Sequence, residues 1–281
     1  MQTMCRVECG CKIKVYNYIL IVNSEASSMT YVLKESLPSL LKQYNALKRT
    51  SKSKKIFVDM FKATRQDIAK DIPRSFPTSK WVNCIGNTDK IYEVFQCFLV
   101  YEKNIGYLQG MLLILIPLLR LYENQEYLAF WSFVKIVQLS KPLYYPIIFK
   151  DPDNWQKCVY VDKVLDVWLQ FRKVKIKEDL TEMIYHLLHW KFMSTLFFSL
   201  IGTNLNNMNI LINYFMKHIN NERVFNRKKC AFALSLLLCF FKDENVRIEN
   251  IQLLSQCHLT EDALSAVIAC AHDVEVFFGN V

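Results

Sequence analysis

Apolar residues recur every three or four positions along most of this chain, with polar and charged residues between them, and this spacing predicts helices nearly throughout. Over residues 30–48, Leu33, Leu37, Leu40 and Leu41 share one helical face, broken mildly at Pro38. A second helix over 54–70 carries Ile56, Phe57, Met60, Phe61 and Ile68. Pro73 disfavours α conformation at Ile72, so this helix is expected to end by Asp71 and leave Arg74 on an exposed, proline-stiffened loop. Asn87-Thr88-Asp89 supplies cap chemistry for a helix through Glu102, with Ile91, Val94, Phe95, Phe98 and Leu99 on its apolar face. Lys103-Asn-Ile-Gly106 stops it, and Gln109 and Gly110 then stand at the mouth of an almost wholly apolar helix over 111–121. Further helices are expected at 124–139, 155–173, 178–200, 205–219, 224–242 and 260–278, the last capped by Thr260 with Glu261 and Asp262 in its first turn.

No internal repeat and no low-complexity tract interrupts the pattern. The break at Val174-Lys-Ile-Lys177 divides a first helical lobe, 30–173, from a second, 174–281, with residues 1–29 as a leader. Lys48 to Lys55 holds five basic residues and three Ser/Thr and reads as a solvated connector. The 11-residue run from Met111 to Leu121 contains Pro117 and is too short for a membrane span, which needs about 20 apolar residues. Lys12 to Val22 faintly resembles a signal peptide, but its apolar run is short and interrupted by Asn17, so a β-prone or buried segment and a soluble protein are expected.

Composition narrows the class further. With 281 residues, 52% of them hydrophobic and 14% aromatic, the chain can build a large core and is not disordered. Only 6 Gly and 7 Pro argue against a turn-rich β protein. The net charge of +9 suits an anionic partner: a membrane surface, an acidic protein face or nucleic acid. Most of the ten cysteines, including Cys97, Cys239 and Cys270, sit within apolar helical patterns, where a thiol acts as a small hydrophobe; this fits a reducing compartment. Cys5, Cys9 and Cys11 lack a fourth metal ligand nearby and read as unpaired thiols.

Two phrases carry the chemistry: Ile68-Ala-Lys-Asp-Ile-Pro-Arg-Ser-Phe-Pro77 and Gly106-Tyr-Leu-Gln-Gly110. Together they resemble the arginine-finger and glutamine-finger motifs of TBC-domain Rab GTPase-activating proteins, I-x-x-D-x-x-R-T-F-P and Y-x-Q-G-M. Ile68, Asp71, Arg74, Phe76 and Pro77 match the first, with Ser75 in place of threonine; Tyr107, Gln109, Gly110 and Met111 match the second. Tyr127-Leu-Ala-Phe-Trp131, Trp190-Lys-Phe-Met-Ser-Thr-Leu-Phe197 and Asn209 to Phe215 are similar to later family segments, so the resemblance covers about 35–245. The family's early Arg-and-Trp segment has no counterpart, Leu108 and Leu112 replace a common cysteine and asparagine, and Asn213-Tyr214 stand where Trp-Asp is usual.

The resemblance implies an all-α, two-lobed TBC-type domain. It implies a cytoplasmic GTPase activator serving vesicle trafficking, peripheral on endomembranes, whose partner is a Rab-like small GTPase. The partner would carry GTP and Mg²⁺, so the chain needs no cofactor or metal of its own. Arg74 would neutralise charge on the transferring phosphoryl group and Gln109 would orient the attacking water. Asp71 is assigned to fixing Arg74 or its loop through charge-assisted hydrogen bonds, Tyr107 to packing support, and Gly110, directly after Gln109, is a further supporting residue. Peripheral membrane association through basic residues is a further expectation.

Rival readings stand beside it. The same fold could hold a GTPase as a non-catalytic scaffold or effector. A basic helical nucleic-acid binder is disfavoured because the basic residues are dispersed rather than set on one stripe. Glu182, His186 and His189 share a helix face but lack a further metal ligand, and Asp151-Pro-Asp153 reads as a turn with a following cap. No G-x-x-x-x-G-K, G-x-S-x-G or H-E-x-x-H occurs, so nucleotide binding by the chain alone and hydrolysis of esters or peptides are not expected.

Overall fold

The structure, a computed structural model, describes residues 37–76, 79–82, 84–103, 105–122, 125–139, 159–172, 176–202, 204–216, 218, 221–241 and 246–279. Cys5, Cys9, Cys11, the Lys12–Val22 segment and Asp151-Pro-Asp153 lie outside these residues. Among the described residues every regular element is helical, and no helix is long and apolar enough to cross a membrane. They fall into two compact units, up to Gln138 and from Leu139.

In the first unit, α1 (Leu37–Ser53), α2 (Lys55–Ser75) and α3 (Ile85–Tyr101) pack on one another, while α4 (Met111–Tyr122) packs against α2 and α3. Pro38 lies in the first turn of α1, where its missing N–H would have no helical partner anyway, so it starts the helix rather than breaking it. Helix α5 (Glu126–Leu139) completes the core: Phe133 meets Phe95 and Phe98 at 5.4 and 5.1 Å, and the buried Trp131 donates its indole N–H to the Leu40 carbonyl at 3.1 Å.

The supposed connector at Lys48 to Lys55 is instead the last turns of α1 and the first residue of α2, parted only by Lys54. Ion pairing explains the difference. Lys48 and Lys52 each reach a Glu93 carboxylate oxygen at 2.6 Å, Ser51 is fully buried, and Gln96 donates to the Ser51 carbonyl at 3.1 Å. Burial opposes ionisation of Glu93, but hydrogen bonds from Lys48 and Lys52 outweigh it and hold the carboxyl below its usual 4.5. Helix α3 likewise starts at Ile85, ahead of the expected Asn87 cap. Asn87 and Thr88 instead donate back to the Trp81 and Val82 carbonyls, at 3.0 and 3.2 Å.

The second unit is built around α9 (Glu222–Phe240), capped by the Asn221 side chain, which accepts from the Val224 N–H at 3.1 Å. Buried on nearly every side from Phe225 to Leu237, Lys228 and Lys229 included, α9 packs against α6 (Val159–Arg172), α8 (Leu205–Met216) and α11 (Glu261–Val274). Because α6 packs here, the unit boundary falls after Gln138 and not at the sequence break near Val174. Helices α7 (Glu178–His186) and α10 (Ile248–Gln256) complete the unit. Thr260 caps α11 as expected, its hydroxyl accepting from the Ala263 N–H at 3.3 Å, and a 3-10 turn over Glu275–Phe278 continues the chain.

The expected single helix over 178–200 is interrupted. After α7 the chain widens into a π-helical stretch, Leu187–Met193, then turns through Leu196 and Phe197 with φ of 49° and 61°. Both positive angles cost energy, and aromatic burial opposes that cost: Phe197 is fully buried, 4.5 Å from Phe232 and stacked on Phe215 at 5.8 Å. Ser194 and Ser199 hydroxyls donate to the Trp190 and Lys191 carbonyls at 2.6 and 2.7 Å, occupying acceptors left by the altered ladder.

Candidate functional site

Helix α2 does not stop before Pro73; it runs through it to Ser75. Ile68, Ile72 and Phe76, spaced one turn apart, are all buried, so continuing the helix keeps the stripe on the core side. That burial outweighs the single bond lost to the missing proline N–H, and the Ser75 hydroxyl adds a 2.8 Å bond to the Asp71 carbonyl in the same turn. Arg74 therefore stands on the last helical turn and not on a loop, a correction to the sequence reading. Its side chain is exposed and makes no hydrogen bond or ion pair among the described residues.

The glutamine segment is shaped by its glycines. Gly106 has φ +66° and Gly110 φ +97°, angles that side chains beyond glycine adopt at a cost. Between them the Leu108 carbonyl accepts from the Met111 N–H at 3.1 Å, and the Gly110 carbonyl accepts from Leu113 at 3.0 Å, starting α4. Met111 and Leu112 then enter the core. Gln109 is left on the outside of this turn, exposed, with no hydrogen bond among the described residues.

One bond joins the two segments. The Tyr107 hydroxyl donates to Asp71 Oδ2 at 2.7 Å, while its ring stands edge-on to Phe95 with centroids 5.3 Å apart. Burial, and next the hydrogen bond to the Asp71 carboxylate, push the Tyr107 phenol well above its usual 10, so it remains a donor. Asp71 thus holds Tyr107 and not Arg74, which corrects one of the two roles expected for it. Tyr107 packs as expected and also forms a polar link that the sequence reading missed. The available signal was that a partly buried tyrosine hydroxyl needs a partner.

The two long polar side chains are therefore presented on the last turn of α2 and on the turn before α4, elements that pack together and are tied between Asp71, three residues before Arg74, and Tyr107, two before Gln109. A guanidinium and an amide left without internal partners can both engage a phosphate or a water supplied from outside. No group of three or more His, Cys, Asp or Glu able to hold a metal ion occurs among the described residues. His186 lies 3.6 Å from Glu182, and His189 is buried beside Trp190 with rings stacked at 4.2 Å.

The profile of the Rab-GTPase-TBC domain family matches residues 31–244. Among solved structures, the Ypt/Rab-GAP domain of Gyp1p superposes with a TM-score of 0.58 at 14% identity, over 86% of this chain and 81% of that one, a likeness of fold. No curated protein sequence matches.

Proposed function

The chain belongs to the Rab-GTPase-TBC domain family, and on that premise we propose that it accelerates GTP hydrolysis by a Rab-like small GTPase, with Arg74 and Gln109 supplied in trans. The partner holds the nucleotide and Mg²⁺. Arg74 enters the nucleotide site and stabilises charge on the β–γ bridging and γ-phosphate oxygens, while Gln109 orients the attacking water. An arginine finger is worth about 10³ to 10⁵ in rate, or roughly 4–7 kcal/mol of barrier. The protein acts in the cytoplasm, peripherally on the endomembranes that carry its partner.

The observation that supports this reading is the 2.7 Å bond from Tyr107 to Asp71, which ties the two motif segments while Arg74 and Gln109 stay exposed. Preorganisation of this kind is what in-trans catalysis requires, because neither side chain must break an internal contact before entering the partner. Single-turnover GTP hydrolysis over a panel of Rab-type GTPases tests it. Acceleration of one member that Arg74→Ala and Gln109→Ala each abolish is the expected result. Tight binding of a GTP-loaded member with no acceleration of any would instead favour a scaffold or effector.

A further inference from the structure

The end of α1 and the start of α2 form a basic corner of the first unit. Between Leu37 and Val58 stand six Lys or Arg and no Asp or Glu. Two of the six are matched internally, since Lys48 and Lys52 each meet Glu93 at 2.6 Å. Arg49, Lys54 and Lys55 are exposed, and their side chains make no hydrogen bond or ion pair among the described residues. The next acid along α2, Asp59, lies 3.7 Å from Lys62. The negative end of the α1 dipole suits Lys52 and Arg49. It does not account for Lys54 and Lys55. These stand at the positive end of α2, where cations are disfavoured; Lys54 makes no side-chain cap bond, and the first turn holds no acid. Residues 52–56 are exposed in unbroken succession, so the corner is convex, and Ile56 projects from it at 65% exposure.

We propose that this corner docks on an anionic membrane surface, with Arg49, Lys54 and Lys55 among the lipid headgroups and Ile56 inserted beside them. Charge complementarity carries the choice of an anionic occupant. Shape and apolarity select a bilayer over an acidic protein face. A convex corner offers no cleft to a protein segment, lysine is a flexible point charge suited to a diffuse negative surface, and an exposed isoleucine next to lysines gains by leaving water. Arg74 stands on the same helix, about 27 Å from Ile56 at 1.5 Å per residue. Docking at one end of α2 therefore leaves the end that bears Arg74 free to meet a partner. It gives the peripheral membrane association proposed above a definite surface and needs no activity from Arg74 or Gln109, so a failure of GTPase stimulation would leave it standing.

The test is flotation of the full chain with phosphatidylcholine vesicles, with and without phosphatidylserine, over a salt series. The chain should bind the phosphatidylserine vesicles alone, and less as salt rises. Each cation near such a surface contributes about fivefold in affinity, so Arg49→Gln/Lys54→Gln/Lys55→Gln should weaken binding on the order of a hundredfold. Ile56→Ser should weaken it by a factor that salt does not change, as loss of an apolar contact does. An equally charge-reduced variant of the second unit, Lys163→Gln/Lys177→Gln/Arg247→Gln, should float like the parent. Equal loss in both triple variants would reduce the effect to net charge and overturn the proposal. Binding of heparin without binding of vesicles, unmoved by Ile56→Ser, would overturn it in favour of a soluble polyanion site. Vesicles left unbound, with solution binding of a GTP-loaded Rab-type GTPase weakened by the corner triple variant, would assign the corner to an acidic protein face instead.

Discussion

Asp71 and Tyr107, thirty-six positions apart, are joined by a hydrogen bond from the tyrosine hydroxyl to Oδ2 at 2.7 Å. Through it the final turn of α2 and the turn before α4 hold a fixed register. Tyr107→Phe keeps the ring against Phe95 and removes only this bond. A bond to a charged acceptor contributes about 1.5–3 kcal/mol, so stability should fall within or somewhat below that range, because Asp71 remains partly hydrated. Urea unfolding measures the loss. Stimulated hydrolysis should fall through kcat more than through KM, since misplacing Gln109 affects the reacting geometry; an unchanged kcat would remove Tyr107 from the positioning of Gln109.

Gly110 holds φ at +97° directly after Gln109. Gly110→Ala forces a Cβ into that region at a cost of about 1–2 kcal/mol. Thermal unfolding should register the drop, and GTPase stimulation should fall further than stability alone accounts for, because the strained turn relaxes by moving Gln109.

Arg74 is exposed and without an internal partner among the described residues, so its replacement should leave unfolding curves within about 0.5 kcal/mol of the parent. Arg74→Lys should nevertheless lose nearly all stimulation. A lysine supplies charge but not the planar fork that contacts two phosphate oxygens together. Near-full activity of the lysine variant in single-turnover assays would contradict the finger assignment.

Glu93 links Lys48 and Lys52 to α3, and its carboxyl is held below the usual 4.5 in the folded protein. A depressed folded pKa contributes stability that is present above the unfolded value and is lost as pH falls through the folded one. Glu93→Gln should therefore cost about 1 kcal/mol at neutral pH and flatten the acid limb of the stability profile below 4.5. Urea midpoints from pH 7 down to 3 would show the parent and variant curves converging.

Local chemistry was legible where one element's own residues decide it. Helical spacing placed nearly every helix, and Thr260 with Glu261 and Asp262 placed the start of α11. The motif residues identified both segments of the candidate site. Local rules failed where distant atoms reversed them. Pro73 reads as a stop, yet the buried Ile72 and Phe76 carry α2 past it. Lys48 to Lys55 reads as a linker, yet Glu93, far along the chain, turns most of it into helix. Residues 178–200 read as one helix, yet the burial of Phe197 bends the backbone into the left-handed region.

By itself, then, the sequence determined an all-helical chain, the family it belongs to and the two segments that bear Arg74 and Gln109. These follow from periodicity and from short runs of neighbouring residues. The tertiary structure decided which unit α6 joins, that Arg74 rides on a helix end and that Asp71 holds Tyr107. Each of these depends on groups brought together by packing, and the spacing of residues along one helix carries no information about a partner thirty-six positions away.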